Sequence, residues 1–324
     1  MKSIAFTKYG SPDDLQLIDI PIPAPVENEV LVKIHASSIN SWDLELLNAT
    51  PFINRLAFGL FRPKRLKTLG IDVAGLVENV GSGVTQFQPG DRVYGDLSAV
   101  GWGGFAEYVA VPANALTSIP DNISFEQAAA IPHAGLLALQ GLVDEGNIRD
   151  GMKILINGAS GGSGTIAIQI AKQYDVEITG VCSTEKMDFV RSLGADHIID
   201  YKTENFTRTG QHYDLILDAK AYYSLSDYRH ALTPDGIYVV HGGGSGTLTQ
   251  LMTLGPIVSL FTKRKLTVLF HHANKGLDRM RQLLADGKVK PVIDRTFTLE
   301  QVPEAMHYYA EGKTRGKLII KCSD

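Results

Sequence analysis

The segment that most constrains the fold of this chain spans residues 151–172. Residues 153–157 are apolar and rich in branched side chains, which predicts a strand, and residues 165–171 repeat apolar side chains at helical spacing. After Gly158, the loop between them consists of six small residues, namely Ala159, Ser160, Gly161, Gly162, Ser163 and Gly164. A strand, a glycine loop and a helix in this order are typical of a dinucleotide-binding unit, here with alanine in the first glycine position of the fingerprint.

Each part of this loop has a mechanical reason. Glycine at 161 would let the backbone approach a pyrophosphate, and glycine at 164 would let the helix pack close to the strand. The pyrophosphate would rest at the helix N-terminus, where free N–H groups and the helix dipole favour an anion. All six loop residues are therefore predicted to bind a cofactor.

Three other interpretations of the loop stay open. Gly158-Ala-Ser160-Gly-Gly162 also matches the nucleophile elbow of serine hydrolases, but the oxyanion-like run His241-Gly-Gly-Gly244 follows it instead of preceding it. The loop is also similar to that of short-chain dehydrogenases, with Tyr309 and Lys313 in the place of their Tyr-x-x-x-Lys pair, although Gly312 weakens the helix that this pair requires. The third is a glycine turn without a ligand, which the next segment disfavours.

The second predicted strand, residues 177–182, ends where an NAD-binding domain usually offers an acid to the adenosine ribose. That acid is missing, and Ser183 and Lys186 follow instead. Without the repulsion of a carboxylate, these two side chains can bind a 2′-phosphate, so NADPH is favoured over NADH. Glu185 is the alternative, because an inward turn would let it accept the ribose hydroxyls.

Composition excludes several classes of protein. The chain has 324 residues, enough for two domains, and its net charge of −4 argues against a nucleic-acid-binding surface. Its two cysteines lie far apart, so neither a disulfide framework nor a cysteine zinc cluster is expected. No signal peptide is expected, and the apolar stretch 251–261 is predicted to break at Gly255 and Pro256, so no integral membrane segment is expected and the predicted location is the cytoplasm.

The order of predicted elements indicates two domains. Residues 1–123 read as short strands separated by turns, and residues 124–271 alternate strands and helices as a doubly wound parallel sheet does. Residues 272–324 carry no nucleotide signal and are predicted to complete the first domain. Because ligands bind at the carboxyl ends of such strands, the residues after two late strands are predicted to face the nicotinamide: His241, Gly242, Gly243, Phe270 and His271.

Residues 50–67 mix aromatic and basic side chains. Such a segment is able to touch a membrane face, cover a substrate mouth, or pack on its own domain as a long surface loop.

Several motifs in order resemble a known family. They are Gly70-x-Asp-x-Ala-Gly-x-Val, Val80-Gly-x-Gly-Val-x-x-Phe-x-x-Gly-Asp-x-Val, Ala128-Ala-Ala-Ile-Pro and Gly161-Gly-x-Gly-x-x-x-x-Gln-x-x-Lys, with Ser192-Leu-Gly-Ala-Asp and the closing Gly316-Lys317. Together they resemble the medium-chain dehydrogenases/reductases, within them the zinc-free quinone oxidoreductases related to zeta-crystallin, over nearly the whole chain. The resemblance implies an α/β architecture: a GroES-like, β-rich catalytic domain plus a Rossmann doubly wound parallel sheet.

The resemblance also implies roles for particular residues. Asn40 matches a polar residue near the nicotinamide and substrate, and Tyr201 matches a tyrosine beside the adenosine phosphate. Apart from the resemblance, Asp43, Glu45 and His133 are candidate proton donors, with a solvent proton as the alternative; Asn40 and Asp43 could also merely cap a short helix. Relatives that oxidise alcohols with zinc carry a cysteine at the Asn40 position and Gly-His-Glu where Gly70-Ile-Asp72 stands, so no metal is expected. Leu137 stands where relatives often have a threonine near the nicotinamide.

The predicted activity is hydride delivery from NADPH to a quinone or to an α,β-unsaturated ketone or aldehyde, without zinc. Orientation of the reactants and exclusion of water would be the work of the protein. The alternative is a nonenzymatic NADPH-binding redox sensor or crystallin-like protein. By analogy with similar proteins, a homodimer formed through the sheet edge near Ile237 is a further expectation.

Overall fold

The computed structural model describes residues 1–50, 52–64 and 67–323, without the side chains of residues 53, 245, 254 and 256–261. Within these residues the strands are β1 (Lys2–Ala5), β2 (Gln16–Asp19), β3 (Glu29–Ser38), β4 (Asp72–Val80), β5 (Arg92–Asp96), β6 (Tyr108–Pro112), β7 (Thr117–Ser118), β8 (Lys153–Asn157), β9 (Glu177–Cys182), β10 (His197–Asp200), β11 (Tyr213–Asp218), β12 (Leu232–Val240), β13 (Lys265–Val268), β14 (Ile293–Thr298) and β15 (Lys317–Lys321).

Ten α-helices lie within the described residues. They are α1 (Ser41–Leu47), α2 (Ile53–Phe58), α3 (Phe125–Ala129), α4 (Pro132–Leu139), α5 (Gly162–Ala171), α6 (Met187–Ser192), α7 (Leu225–Ala231), α8 (Ser245–Phe261), α9 (Leu277–Ala285) and α10 (Val302–Ala310). A π-helical segment, Gln140–Glu145, continues directly from α4.

The chain forms two compact units. The first unit contains Met1–Ala134, Ala273–Gly287 and Pro291–Asp324, and the second contains Gly135–His272 and Lys288–Lys290. The predicted domain limits at 123/124 and 271/272 remain predictions.

The second unit is built on a six-stranded sheet in the order β10-β9-β8-β11-β12-β13, and every strand pair is parallel. This is the strand order of a Rossmann sheet, with its switch point between β8 and β11. The central strands are buried on both faces, as their continuous apolar runs predict, and Ile154, Leu155 and Ile216 are almost inaccessible to solvent. The predicted fold class of this part is confirmed.

The first unit is organised around β3, which pairs with β4, β6 and β15. The C-terminal strand β15 runs antiparallel to β3, with Ile319 opposite Ser38. This pairing carries the residues just before Ile319 to the start of α1, where Asn40 and Asp43 lie. A core of branched and aromatic side chains, including Ile34, Leu46 and Phe105, fills the interior of the unit.

The prediction of a break in the segment 251–261 is wrong. Helix α8 runs from Ser245 to Phe261 through both Gly255 and Pro256. A β-carbon on Gly255 would stand 2.8 Å from the carbonyl oxygen of Leu266, so this glycine permits the close approach of α8 to β13. Proline removes one backbone donor from the helix without ending it here. Among the described residues, no helix is long and apolar enough to cross a membrane.

Candidate functional site

The glycine loop connects β8 directly to α5 at the switch point of the second unit. Gly158 has a φ of +85°, and Gly161 is the N-cap of α5. A β-carbon on Gly164 would stand 2.2 Å from the carbonyl oxygen of Gly158, so only glycine allows the helix to pack this close to the loop. Ala159 is fully buried, and its N–H donates to the carbonyl of Val181 at 3.0 Å.

Gly161 differs from Gly164 in what surrounds it. A β-carbon at 161 would meet only the carbonyl oxygen of Gly158, at 3.4 Å, which is ordinary contact. Its own protein neighbours therefore do not require glycine at 161. Open space above a helix N-terminus suits an approaching phosphate, so these residues fit the pyrophosphate of a dinucleotide.

Two residues predicted from distant segments meet at this loop. The Ser163 hydroxyl lies 2.9 Å from Nε2 of His241, which follows β12. Ser160 is buried, and it is the neighbouring Ser163 that contacts Nε2 of His241. This pairing does not favour a hydrolase, in which the histidine would contact the elbow serine.

The glycines after His241 also have a packing role. A β-carbon on Gly242 would stand 2.6 Å from the carbonyl oxygen of Ala219, and Gly243 has a φ of +131°. Both features follow from close contact with the turn after β11. The structure thus explains Gly242 and Gly243 without a ligand, and their cofactor role stays a prediction.

Sequence reasoning missed the residue that organises that turn, Asp218. Its Oδ1 accepts hydrogen bonds from Asn157 Nδ2 at 2.8 Å and from the backbone N–H of Lys220 and Ala221 at 2.7 and 2.9 Å. Its Oδ2 accepts from the Tyr238 hydroxyl at 2.9 Å. Burial, together with this carboxylate, raises the pKa of Tyr238 well above its ordinary value. The only signal in the sequence is an acid at a strand end.

The residues predicted for the adenosine phosphate gather after β9. Ser183 is buried, Lys186 is half-buried and Tyr201 is 57% exposed. The N–H of Lys186 donates to the carbonyl of Ser183 at 2.9 Å, and the N–H of Tyr201 donates to that of Cys182 at 3.1 Å. The structure therefore brings these three residues to one end of the sheet.

Glu185, the alternative ribose ligand, is held by a lysine that sequence reasoning missed. Lys202 Nζ donates to Glu185 Oε1 at 2.5 Å, and the Glu185 side chain stays 62% exposed. The hydrogen bond from Lys202 lowers the pKa of Glu185 to about 2. The carboxylate is thus ionised and paired on the surface.

Phe270 and His271 lie beyond the end of β13, which stops at Val268. Phe270 is 64% exposed and His271 is half-buried. Gln140, in the π-helical segment, holds the following residue: its Nε2 donates to the His272 carbonyl at 2.8 Å, and its Oε1 accepts from the His272 N–H at 3.0 Å. The segment that carries Phe270 and His271 is thereby fixed at the carboxyl edge of the sheet.

In the first unit, Asn40 belongs to a buried polar network. Its Nδ2 donates to Asp72 Oδ2 at 2.8 Å and to the Ser38 carbonyl at 3.3 Å. Its Oδ1 accepts from Lys317 Nζ at 2.6 Å, and Lys317 also lies 3.2 Å from Asp72 Oδ2. The side chains of Asn40, Asp72 and Lys317 are all buried. The amide of Asn40 is therefore held in one orientation by groups of opposite charge.

Asp43 supports the same region through the backbone. Its two oxygens accept from the N–H of Asn40 at 2.8 Å and from the N–H of Gly70 at 2.9 Å. Burial raises the pKa of Asp43 to about 7, although both of these hydrogen bonds favour the charged form. These are the contacts of a helix-capping residue, and the proton-donor role of Asp43 stays a prediction.

His133 links the network to a group of aromatic rings. The backbone N–H of His133 donates to Asp72 Oδ1 at 2.8 Å, and the ring nitrogen Nδ1 lies 3.0 Å from Asp96 Oδ2. The His133 ring lies 5.8 Å from that of Trp42, which in turn lies 5.3 Å from that of Trp102. No periodic pattern in the sequence predicts this group, because His133, Trp42 and Trp102 come from three separate segments.

The basic and apolar segment 50–67 lies partly outside the described residues, which exclude positions 51, 65 and 66. In the described part, Leu56 and Phe61 are exposed, whereas the Arg55 guanidinium stacks 5.1 Å from the Tyr9 ring. The Tyr9 hydroxyl also donates to the Gly59 carbonyl at 2.8 Å. The segment is thus anchored on its own unit by one face.

A Rossmann sheet with a glycine loop at its switch point, in one chain with a β-rich unit, is typical of dehydrogenases and reductases that use a nicotinamide cofactor. Comparison with family models agrees with this class. Residues 26–121 match the alcohol dehydrogenase GroES-like domain, and residues 193–320 match the zinc-binding dehydrogenase model.

Known proteins similar to the whole chain narrow the class. A chloroplast envelope quinone oxidoreductase homolog of Arabidopsis thaliana is 31% identical, with 99% of this chain and 98% of the relative covered. A 2-methylene-furan-3-one reductase of Solanum lycopersicum is 33% identical over 99% of this chain and 79% of the relative. The crystal structure of Escherichia coli quinone oxidoreductase complexed with NADPH superposes with a TM-score of 0.85 at 26% identity, covering 99% of this chain and all of that one.

The chain belongs to the medium-chain dehydrogenase/reductase superfamily and is similar over its whole length to quinone oxidoreductases within it. The predicted family and fold class are confirmed, and the protein is an oxidoreductase with a nicotinamide cofactor. The cytoplasmic location and the homodimer remain predictions. The predicted sheet edge near Ile237 is wrong, because its strand β12 pairs with β11 on one side and with β13 on the other.

Proposed function

We propose that this protein transfers a hydride from NADPH to a quinone or an α,β-unsaturated carbonyl compound, without a metal ion. The observation that carries the proposal is the network of Asn40, Asp72 and Lys317. This network bears on the reaction type. A metal ion in its position would permit alcohol oxidation, whereas without a metal ion the reduction of an electrophilic acceptor stays feasible.

The donor set at this position does not suit zinc. Zinc prefers thiolate, imidazole and carboxylate ligands, and a neutral amide stands at position 40 and an aliphatic side chain at position 71. The ammonium of Lys317 lies 2.6 Å from Asn40 Oδ1 and 3.2 Å from Asp72 Oδ2. A fixed positive charge among these oxygens would repel a second cation. The network thus supports a reaction that requires no Lewis acid here.

The residues after β9 support NADPH as the cofactor. Cys182 ends the strand where NAD-binding domains offer an acid, and Ser183 and Lys186 follow it. The Glu185 carboxylate is paired with Lys202, and the Asp200 carboxylate accepts hydrogen bonds from the Thr184 hydroxyl and from the backbone N–H of Lys202. A 2′-phosphate would therefore meet a hydroxyl and an ammonium, with the neighbouring negative charge already compensated.

The work of the second unit would be to bind and orient the dinucleotide. The N-terminus of α5 and the loop from Ala159 to Gly164 would hold the pyrophosphate, and the contact between Ser163 and His241 would fix the edge of that cradle. When bound, the cofactor supplies the hydride. One proton from solvent completes the two-electron reduction of the acceptor to a hydroquinone or a saturated carbonyl.

Asn40 would act in this scheme by fixing its surroundings. Both of its amide hydrogens already have acceptors, of which the Ser38 carbonyl at 3.3 Å is the weaker. Direct donation to a substrate oxygen would require loss of that bond. The described contacts support Asn40 as a positioning residue more strongly than as a donor to the substrate.

The test measures loss of NADPH absorbance with 1,4-naphthoquinone and with 2-cyclohexen-1-one, before and after treatment with a chelator. We expect turnover of at least one acceptor class, unchanged by chelation. Alcohol oxidation that requires added zinc, or cofactor binding without turnover of any acceptor, would overturn the proposal.

Cofactor choice is tested separately by fluorescence titration with NADPH and NADH. Lys186→Ala should weaken NADPH binding at least tenfold, because a charge-assisted contact with the phosphate is lost. The control is Lys153→Ala, an exposed lysine at the amino end of β8, on the opposite edge of the sheet. Equal binding of NADH and NADPH, together with an indifferent Lys186→Ala variant, would make Glu185 the ribose ligand.

A further inference from the structure

Trp102 has a backbone conformation that its side chain disfavours. Its φ is +65°, between Gly101 at +113° and Gly103 at +109°. Positive φ is uncommon outside glycine and is an outlier for a bulky residue. The Trp102 side chain is nevertheless almost fully buried, with 3% exposure. Strained residues of this kind persist where the surrounding structure holds them in place, and they cluster at ligand sites.

The indole N–H of Trp102 is a second, independent feature. Its Nε1 is buried, and no atom of the described residues accepts its hydrogen. An indole nitrogen can only donate, so the group has no other way to be satisfied. Buried donors without an acceptor are rare in native proteins, and an absent ligand is one explanation for such a group.

Two aromatic rings lie against the Trp102 side chain. The Trp42 ring lies 5.3 Å away at an interplanar angle of 71°, and the Phe58 ring lies 6.5 Å away at 69°. Trp42 also contacts His133, which is hydrogen-bonded to Asp72 of the polar network. The unpartnered donor therefore lies beside aromatic faces and close to the residues that replace the metal site.

We propose that Trp102 binds the substrate: its indole N–H donates a hydrogen bond to the oxygen of a planar, conjugated carbonyl acceptor that packs against Trp42 and Phe58. This inference rests on the proposed function and specifies how the acceptor is recognised. Negative charge builds on that oxygen when a hydride arrives at the conjugated carbon. A fixed donor in a desolvated place stabilises this charge more than it stabilises the neutral substrate.

Phe58 belongs to α2, whose residue Leu56 is exposed. Because Nε1 of Trp102 is buried, an acceptor reaches it only when neighbouring side chains move, and the Phe58 ring is one of the two that lie against Trp102.

The first test observes the donor directly. The chain has two tryptophans, so a spectrum of the ¹⁵N-labelled protein saturated with NADP⁺ contains two indole N–H signals, and the one lost in Trp102→Phe belongs to Trp102. Titration with 2-cyclohexen-1-one should move this proton signal downfield, as a new hydrogen bond does. Cyclohexene, which has the ring without the oxygen, is the matched control and should not. A Trp102 signal that both compounds leave in place would overturn the inference.

The second test is kinetic. Trp102→Phe keeps an aromatic ring and removes only the donor, so kcat/KM for the acceptor should fall about tenfold or more, while the KM for NADPH stays constant. Trp102→Leu, which removes the ring as well, should lower it further. If the wild type reduces the acceptor and Trp102→Phe matches it, the inference fails and the proposed function stands. If the wild type reduces no acceptor, the proposed function itself fails.

Discussion

Replacement of Lys317 by methionine tests the central network of the first unit. Methionine keeps the length of the side chain and removes the ammonium. Lys317 is 4% exposed and donates to Asn40 Oδ1 at 2.6 Å and to the Ile39 carbonyl at 3.2 Å, in addition to its ion pair with Asp72. The variant therefore leaves a buried carboxylate without its counter-charge.

Breaking a buried ion pair by removing one partner costs about 3–5 kcal/mol, because the remaining charge is uncompensated. Asp72 keeps neutral donors, namely Ser38, Asn40 and the His133 N–H, so the lower end of that range applies. For a unit of this size, about 3 kcal/mol lowers the melting temperature by roughly 6–12 °C.

The assay is unfolding by urea, followed by circular dichroism, with Lys321→Met as the control. Lys321 lies on the same strand but is exposed. Adding Asp72→Asn to Lys317→Met should recover part of the lost stability, because the unpaired carboxylate charge is removed. In the double-mutant cycle of these two substitutions, the coupling free energy should be about 1–3 kcal/mol. Equal stability of the Lys317→Met and Lys321→Met variants would refute the reasoning.

Three further predictions use other parts of the structure. Gly164→Ala should lower both stability and cofactor affinity, because its β-carbon would stand 2.2 Å from the Gly158 carbonyl oxygen; thermal melting and NADPH titration check this, and an unchanged variant would contradict the close packing. Burial raises the pKa of Asp43 from 3.8 to about 7, so the folded state binds this proton more tightly than the unfolded state. The free energy of unfolding should therefore fall by up to about 4 kcal/mol as pH rises from about 4 to about 7. Urea titrations at several pH values should show a smaller fall for Asp43→Asn than for the wild type; an equal fall would contradict the raised pKa. Lys202→Ala should release Glu185 and reduce the preference for NADPH over NADH severalfold in binding titrations, whereas an unaltered ratio would show that the pair does not set cofactor choice.

Much of the second unit was predictable because its signals are local. The apolar run of β8, the glycine loop and the periodic helix α5 follow one another in the chain, so spacing alone identified them. The gathering of Ser183, Lys186 and Tyr201 also follows from the order of parallel strands. The break expected at Gly255 and Pro256 was wrong. Helix α8 continues through both residues and packs against β13, so tertiary contact outweighs the low helix propensity of these two residues.

The first unit was less predictable at the level of side chains. Several of its strands were expected, but β5, β14 and α10 were not, since none of them has a strong pattern of its own. Asn40 and Asp43 were singled out by resemblance, yet their partners were not identified. Lys317 follows Asn40 by most of the length of the chain, and only the antiparallel pairing of β15 with β3 brings them together.

The sequence by itself determined the Rossmann sheet, the glycine loop and the family, because each depends on residues that are near in the chain or on motifs in a fixed order. Only the tertiary structure decided which groups meet: Lys317 with Asn40 and Asp72, Lys202 with Glu185, and Trp102 with Trp42. Burial increases the free energy at stake in the buried contacts, since removal from water strengthens a charge pair and makes an unpartnered donor costly. Neither proximity nor burial of residues distant in the chain is encoded in local spacing.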